Sequence, residues 1–285
     1  MTEKDALDHI IDLNISVMLP HMFCNEGMTR YRGLFEKLNI PFLGNKESTI
    51  NISMDKGFTK DILAKAKISV PKAELLIKGV NETPEDYSFP CIVKSCTEDN
   101  TLGVKYVKTE EEMILALKHC FNLGPRVLIE QYIKGTEMRA GVIEEIDGSL
   151  TVLPKVEYYI TGEIRTLDDK LLLDENGDLT KNSNSNAIKR NDRKCPAYIS
   201  DILDKRINEL VIDAHKALNC RHYSLFDIRV DENEIPYILE SCLFCSFAPK
   251  SAIVSMAEKF EREELRHPNL FHSFLEREIE IKKGH

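Results

Sequence analysis

Hydrophobic residues recur along this chain at two spacings, which predict a mixture of helices and strands. The most regular helical pattern lies in residues 199–218, where Leu203, Ile207 and Val211 fall on one face. Short apolar runs bounded by turn residues predict strands instead. The other predicted helices cover residues 28–38, 55–67 and 110–121, and the predicted strands cover residues 14–19, 91–94, 104–107, 126–132, 223–230 and 236–240.

The order of these elements favours separate α+β lobes over one doubly wound sheet. A hairpin is predicted over residues 138–156, around the turn residues Asp147 and Gly148. Residues 160–196 are mostly polar, which predicts a long mobile loop, and such loops are usually either functional or disordered. In the helix over residues 55–67, the side chains predicted to face the core are Phe58, Ile62, Leu63 and Ala66.

Composition and charge narrow the classes of function. The chain has 285 residues, of which 42% are hydrophobic and 30% are charged, as in ordinary globular proteins. Its net charge is -9 without a basic stripe, which argues against a nucleic-acid partner. Residues 1–12 are too charged for a signal peptide, and no apolar run reaches membrane-spanning length, so we expect a cytoplasmic location. The eight cysteines are then expected to be thiols, and Cys242-x-x-Cys245 lacks the second pair of a zinc site.

Two acidic residues on apolar strands form a candidate metal site. Asp227 and Glu240 lie on the last two predicted strands, and a turn between these strands would bring the carboxylates together. A carboxylate on a buried strand is costly unless it is paired or bound to a metal ion, and Mg²⁺ prefers oxygen ligands. The alternative is a pair of ordinary carboxylates at strand ends, and the pattern alone favours that alternative.

Two lysines are candidates for phosphate contacts. Lys94 ends an apolar strand and precedes a polar loop that contains Thr101 and Gly103, whose backbone N–H groups could lie over phosphates. Lys56 opens a helix, which is a favourable place for a phosphate-binding cation. The alternative is that both are solvated surface lysines.

The predicted strand over residues 126–132 ends in a third candidate site. Glu130, Gln131, Tyr132 and Ile133 could present backbone groups to an adenine edge, and Glu137 could accept hydrogen bonds from ribose hydroxyls. An unremarkable strand followed by a turn is the alternative.

The order and spacing of these motifs resemble the D-alanine–D-alanine ligases of the ATP-grasp superfamily. The similarity runs from about Leu19 to the C-terminus and includes the stretches 20–27 and 40–44. The motifs that carry it are Met54-Asp-Lys-Gly-Phe-Thr-Lys60, Phe89-Pro-Cys-Ile-Val-Lys94, Val127-Leu-Ile-Glu-Gln-Tyr-Ile-Lys-Gly-Thr-Glu137, Phe226-Asp-Ile-Arg-Val230 and Tyr237-Ile-Leu-Glu240, followed by Ser251.

The resemblance implies a role for each candidate residue. It implies ATP and Mg²⁺ as cofactors and an acyl phosphate as the intermediate of the reaction. Catalytic or substrate contacts would come from Lys170, in the long loop, and Ser251. The implied nucleotide contacts are Lys56, Lys94, Thr101, Gly103, Glu130, Gln131, Tyr132, Ile133 and Glu137, and the implied metal ligands are Asp227, Glu240 and Cys242.

Several positions depart from the family pattern. Leu225 stands where the family has an arginine two residues before the first metal carboxylate, and Cys242 stands where it has an asparagine that binds metal. In the phosphate loop, Asp99 and Asn100 replace a glycine and a serine, and in the long loop Leu171 replaces the tyrosine that follows the family's lysine. These departures concentrate on the acceptor and acyl-phosphate side, so the resemblance implies ATP more firmly than D-alanine.

The resemblance predicts an α+β ATP-grasp fold in three parts. These are a shortened α/β N-terminal domain over residues 1–54, a central lobe over 55–134, and a C-terminal lobe over 135–285 with the long loop 160–196. The favoured function is a carboxylate–amine ligase acting on small molecules, with a homodimer as one candidate assembly. A nucleotide-binding protein with little ligase activity and a small-molecule kinase are the alternatives.

Overall fold

Two antiparallel sheets form the frame of the protein in the computed structural model. The structure describes residues 3–98, 103–160, 162–165, 193–248 and 251–283. The strands are β1 (Ala73–Ile77), β2 (Cys91–Ser95), β3 (Val104–Val107), β4 (Arg126–Gln131), β5 (Gly135–Glu144), β6 (Leu150–Val152), β7 (Val156–Tyr158), β8 (Arg193–Lys194), β9 (Tyr223–Asp231) and β10 (Pro236–Cys242).

Three of the helices begin after a residue whose side chain caps the helix. Asp55, Thr109 and Ser200 each accept a hydrogen bond from a backbone N–H of the first turn. None of the described helices is long and apolar enough to cross a membrane. The helices are α1 (Glu3–Asp12), α2 (Asn25–Met28), α3 (Arg30–Lys37), α4 (Glu47–Met54), α5 (Lys56–Lys65), α6 (Glu110–Leu123), α7 (Asp201–Ala217), α8 (Ala252–Ala257) and α9 (Asn269–Lys283), with a 3₁₀ turn at Glu263–Leu265.

Each sheet has its own apolar core. The four-stranded sheet, in the order β1-β4-β2-β3, packs against α6. The larger sheet runs β10-β9-β5-β7-β8, with β6 paired to β5. Phe226, Ile228 and Val230 of β9 point to the face that α7 covers. Because side chains alternate along a strand, Leu225, Asp227 and Arg229 point to the opposite face.

The segment before α4 is joined to the large sheet by buried hydrogen bonds. Asn45 Nδ2 donates to the carbonyls of Tyr223, at 3.0 Å, and Leu243, at 2.9 Å. The backbone N–H of Gly44 donates to His222 Nδ1 at 2.8 Å. Arg221 donates to the carbonyl oxygen of Gly44 from the same side. Breaking these bonds would leave buried polar groups unpaired, so this stretch is anchored to the C-terminal part of the chain.

Three predictions made from the sequence are wrong in detail. Residues 14–19 do not form a strand, because Met18 makes only an isolated bridge to Phe42. The helix predicted over residues 28–38 is interrupted at Thr29, between α2 and α3. Phe58 was predicted to face the core but is 53% exposed, with the guanidinium of Arg126 lying 4.5 Å from its ring centre.

Candidate nucleotide-binding cleft

A cleft lies between the two sheets and the start of α5. Its apolar part combines Ile92 and Val104 of the small sheet with Leu239 of β10. Such a slot suits a flat ring, and polar side chains surround it. Nine residues predicted from the sequence line this cleft: Lys56, Lys94, Glu130, Gln131, Tyr132, Ile133, Glu137, Asp227 and Glu240.

Lys56 enters the cleft from the first turn of α5. Asp55 caps this helix by accepting from the N–H of Phe58 at 3.0 Å, and Asp55 itself pairs with Arg126 at 2.8 Å. The ammonium of Lys56 lies 2.8 Å from Glu240 Oε1 and also donates to the carbonyl oxygen of Glu98. Lys56 therefore links the helix, the loop after β2 and strand β10.

Glu130 is a buried carboxylate held by two lysines. Its Oε1 lies 3.0 Å from Lys60 Nζ and 2.9 Å from Lys94 Nζ. Burial alone would raise the pKa of Glu130, but the two ammonium groups lower it below the ordinary value. Burial also lowers the pKa of Lys60 to about 8, against the attraction of Glu130. The carboxylate therefore stays ionised and keeps Lys94 at the cleft wall.

The large sheet presents two oppositely charged pairs across β5 and β9. Glu137 lies opposite Arg229, and Arg139 lies opposite Asp227. Arg229 Nη1 is 3.3 Å from Glu137 Oε2, while Arg139 donates to both oxygens of Asp227, at 2.6 and 2.8 Å. Arg165 adds a longer contact of 3.9 Å to Glu137. The sign of the charge thus alternates along each strand and across the pair.

Tyr132 closes the side of the cleft where adenine was predicted. Its ring packs edge-on against Tyr106, with centroids 4.8 Å apart, and its hydroxyl donates to Glu163 Oε2 at 2.7 Å. Burial and this bond raise the pKa of Tyr132 to about 12. The phenol is therefore a neutral donor at physiological pH.

A β-bulge brings the two candidate metal carboxylates together. Ile238 lies opposite Ile228, but Glu240 lies opposite Asp227, because the register shifts at Leu239. Without this shift, Glu240 would lie opposite Phe226 and point to the other face. The bulge also presents the carbonyl of Leu239 to Lys94 Nζ, at 3.3 Å.

The three predicted metal ligands do not make a metal centre by themselves. Asp227 is engaged by Arg139, and Glu240 is engaged by Lys56. Cys242 lies opposite Leu225, two residues further along the strands, and its thiol donates to the carbonyl of Phe244 at 3.5 Å. Across the described residues, no group of three or more His, Cys, Asp or Glu is placed to hold a metal ion.

The other predicted site residues lie elsewhere. Thr101 and Lys170 are outside the described residues, as is most of the loop 160–196. Gly103 packs beneath the end of β2, where an added Cβ would lie 3.0 Å from Leu123 and 3.1 Å from Ser95. Ser251 precedes α8, and within the described part of the chain its buried hydroxyl has no hydrogen-bond partner. Its predicted substrate contact stays a prediction.

Sequence reasoning missed three cations that shape the cleft. Lys60, Arg139 and Arg229 each hold one of the predicted acidic residues. One signal was available, because Arg139 and Arg229 each follow a predicted acidic residue by two positions and therefore share its strand face.

Comparisons with known proteins agree with this fold. The family model for the D-ala D-ala ligase C-terminus matches residues 63–275. The D-alanine–D-alanine ligase of Geotalea uraniireducens is 28% identical over 212 residues, which cover 73% of this chain but only 62% of that protein.

Two solved structures show the same architecture. The D-alanine–D-alanine ligase of Bacillus anthracis, complexed with ATP, has a TM-score of 0.73 at 23% identity, covering 100% of this chain and 86% of that one. The VanG D-Ala:D-Ser ligase of Enterococcus faecalis has a TM-score of 0.72 at 21% identity, covering 94% and 73% respectively. At these identities the likeness shows the ATP-grasp fold and nothing more specific.

Proposed function

Because the chain belongs to the family of the D-alanine–D-alanine ligase C-terminus, we propose that it is an ATP-dependent carboxylate–amine ligase with an altered substrate. The observation that carries this proposal is the convergence of nine predicted nucleotide and metal residues on one cleft between the two sheets. The Bacillus anthracis ligase, which shares the fold, is complexed with ATP. ATP and free amino acids are both present in the cytoplasm, where the proposal places this protein.

The proposed reaction has two steps. The substrate carboxylate attacks the γ-phosphorus of ATP, which forms an acyl phosphate and releases ADP. An amine then attacks the acyl carbon, and phosphate leaves with the proton balance closed by solvent. Lys56 and Lys94 would face the phosphoryl oxygens and neutralise charge that develops there. Glu137 would accept from the ribose, and Tyr132 and Ile133 would hold the adenine.

In the proposed function, Glu240 is the residue that would bind Mg²⁺. This carboxylate is 30% exposed and could share an ion with the nucleotide's phosphate oxygens. The ion would neutralise phosphate charge when bound. Neither Cys242 nor Asp227 supports the same role, because the thiol is a soft ligand and the carboxylate is already paired within the sheet.

Release of ADP with a panel of single amino acids, amino-acid pairs and dipeptides tests the ligase function. A ligase needs both an acid and an amine, whereas a kinase needs one substrate. Leu225 favours the alternative of a nucleotide-binding protein without ligation, because this buried leucine offers no charge to an acyl phosphate. That alternative is indicated if ATP stabilises the protein but no pair releases ADP.

Lys94→Ala tests nucleotide binding separately from turnover. At a ligand concentration of a hundred times Kd, ATP should stabilise the wild type by about 2.7 kcal/mol, and the variant should lose most of this increment. The matched control is Lys72→Ala, because Lys72 is 67% exposed and pairs with Asp86 outside the cleft. An unchanged ATP increment in Lys94→Ala would contradict the assignment of the cleft.

A further inference from the structure

The ion pair between Arg139 and Asp227 is built into one sheet. The two residues lie opposite each other on β5 and β9, so the backbone ladder fixes their separation. Arg139 Nε donates to one carboxylate oxygen and Nη2 to the other. A two-bonded guanidinium matches the shape of a carboxylate and is the strongest form of such a pair.

The neighbouring carboxylate of Glu240 is held in a weaker way. Its partner, Lys56, comes from α5 rather than from an adjacent strand, and one contact of 2.8 Å joins them. The Glu240 side chain is 30% exposed, against 12% for Asp227. Glu240 can therefore exchange its partner and be rehydrated, whereas release of Asp227 would leave a partly buried guanidinium without its carboxylate.

We propose that Arg139 is a positioning residue that takes the place of a divalent ion at Asp227, so that this cleft holds a single ion with nucleotide, on Glu240. The inference rests on the proposed nucleotide function of the cleft. It assigns different roles to the two acidic residues. Asp227 is the partner of the fixed guanidinium, and Glu240 is the ligand of an exchangeable divalent ion.

The surroundings of Arg139 support a permanent charge. Asp227 offers it a negative charge and accepts two hydrogen bonds, of 2.6 and 2.8 Å. The ring centre of Tyr158 lies 5.9 Å from the guanidinium carbon, which adds a favourable cation–π contact. The guanidinium thus has a carboxylate and an aromatic ring as partners, which suits a cation.

Binding of Mn²⁺ in the presence of ADP, followed by electron paramagnetic resonance of the unbound ion, tests this assignment. ADP affinity is measured by calorimetry on the same samples. The wild type should hold one Mn²⁺ per ADP-bound chain. Glu240→Gln should weaken Mn²⁺ binding by about tenfold or more, while Asp227→Asn should weaken it much less. Arg139→Gln should expose Asp227 and add a second Mn²⁺.

Two double variants cover the case in which a single variant does not fold. Arg139→Gln with Asp227→Asn replaces the pair by neutral groups of similar shape and should still bind one Mn²⁺. Arg262→Gln with Glu145→Gln is the matched control, because two hydrogen bonds of 2.6 and 2.8 Å also join this pair but neither residue lines the cleft, and its Mn²⁺ count should also stay at one.

Two results would overturn the inference while leaving nucleotide binding intact. One is a wild type that holds two ions, and the other is a loss of Mn²⁺ affinity in Asp227→Asn as large as that in Glu240→Gln. A failure of ADP to bind the wild type, with or without Mn²⁺, would overturn the proposed function and this inference together.

Discussion

Replacing Lys60 by methionine should make the protein more stable at neutral pH. Lys60 lies in α5 and is 8% exposed, and its ammonium shares Glu130 Oε1 with Lys94. Two cations thus compete for one buried oxygen. Methionine has a similar length, carries no charge and leaves Glu130 and Lys94 as a balanced pair.

The expected size of the effect follows from the pKa of Lys60. The folded protein lowers this pKa from 10.5 to about 8, chiefly through burial. At 1.36 kcal/mol per pKa unit, keeping Lys60 protonated at pH 7 opposes folding by about 3 kcal/mol. Between pH 8 and 10.5 the unfolded chain binds the extra proton, so the stability of the wild type rises with pH across this window. Lys60→Met lacks this rise.

Urea unfolding at pH 7, 8, 9 and 10 measures the difference between variant and wild type. The advantage of Lys60→Met should shrink by about 3 kcal/mol from pH 7 towards pH 10.5, whatever constant offset its packing adds. Lys65→Met is the control, because Lys65 lies in the same helix with a side chain that is 74% exposed, and its effect should stay within about 0.5 kcal/mol at every pH. A difference that is independent of pH would refute the reasoning.

Two further predictions concern buried polar and apolar positions. His215 is 2% exposed, bonds to Ser224 Oγ at 2.8 Å, and has its pKa lowered by burial from 6.5 to about 4. The neutral form of His215 stabilises the fold fully above pH 6.5, and this stabilisation is lost as the pH falls to 4. The difference in the free energy of unfolding between wild type and His215→Gln, measured by urea titration, should therefore change by up to about 3 kcal/mol across that window. Leu225→Arg should lower the free energy of unfolding by about 3 kcal/mol or more, because Leu225 is 1% exposed and packs against Gly141. An unchanged free energy of unfolding in the same assay would show that the site can accept the charge.

Local patterns in the sequence were sufficient to predict an element where the residues at its ends mark where it begins and ends. The helix predicted over residues 199–218 is found at Asp201–Ala217, because the Ser200 hydroxyl accepts from Leu203 N–H at 3.1 Å and starts it. The strand predicted over residues 91–94 is found at Cys91–Ser95. Residues 14–19 had an apolar run without a partner strand, and pairing, which a single run cannot specify, decides whether a strand forms.

The acidic residues of the cleft could be predicted from the resemblance, but their partners could not. Arg139 meets Asp227 only because β5 and β9 pair in one particular register. Glu240 joins them only because β10 carries a bulge at Leu239, and neither the register nor the bulge has a signature in the local sequence. The sequence therefore shows the charge of each group, but only the pairing of the strands shows whether that group is a candidate metal ligand or an ion-pair partner.

The proposed nucleotide binding would change the ion pairs of this cleft, because Lys56 and Lys94 each already face a carboxylate. The burial of those carboxylates decides which exchange is easier. Glu130 has a side chain that is only 3% exposed, so withdrawing Lys94 from it would leave a buried charge less well compensated. Glu240 is 30% exposed and can turn to water when a phosphate takes its lysine. We therefore expect Lys56 to change partner on binding, while Lys94 keeps Glu130 and offers a further N–H to the phosphates. The carboxylate that Lys56 leaves is then the one that an incoming ion can reach.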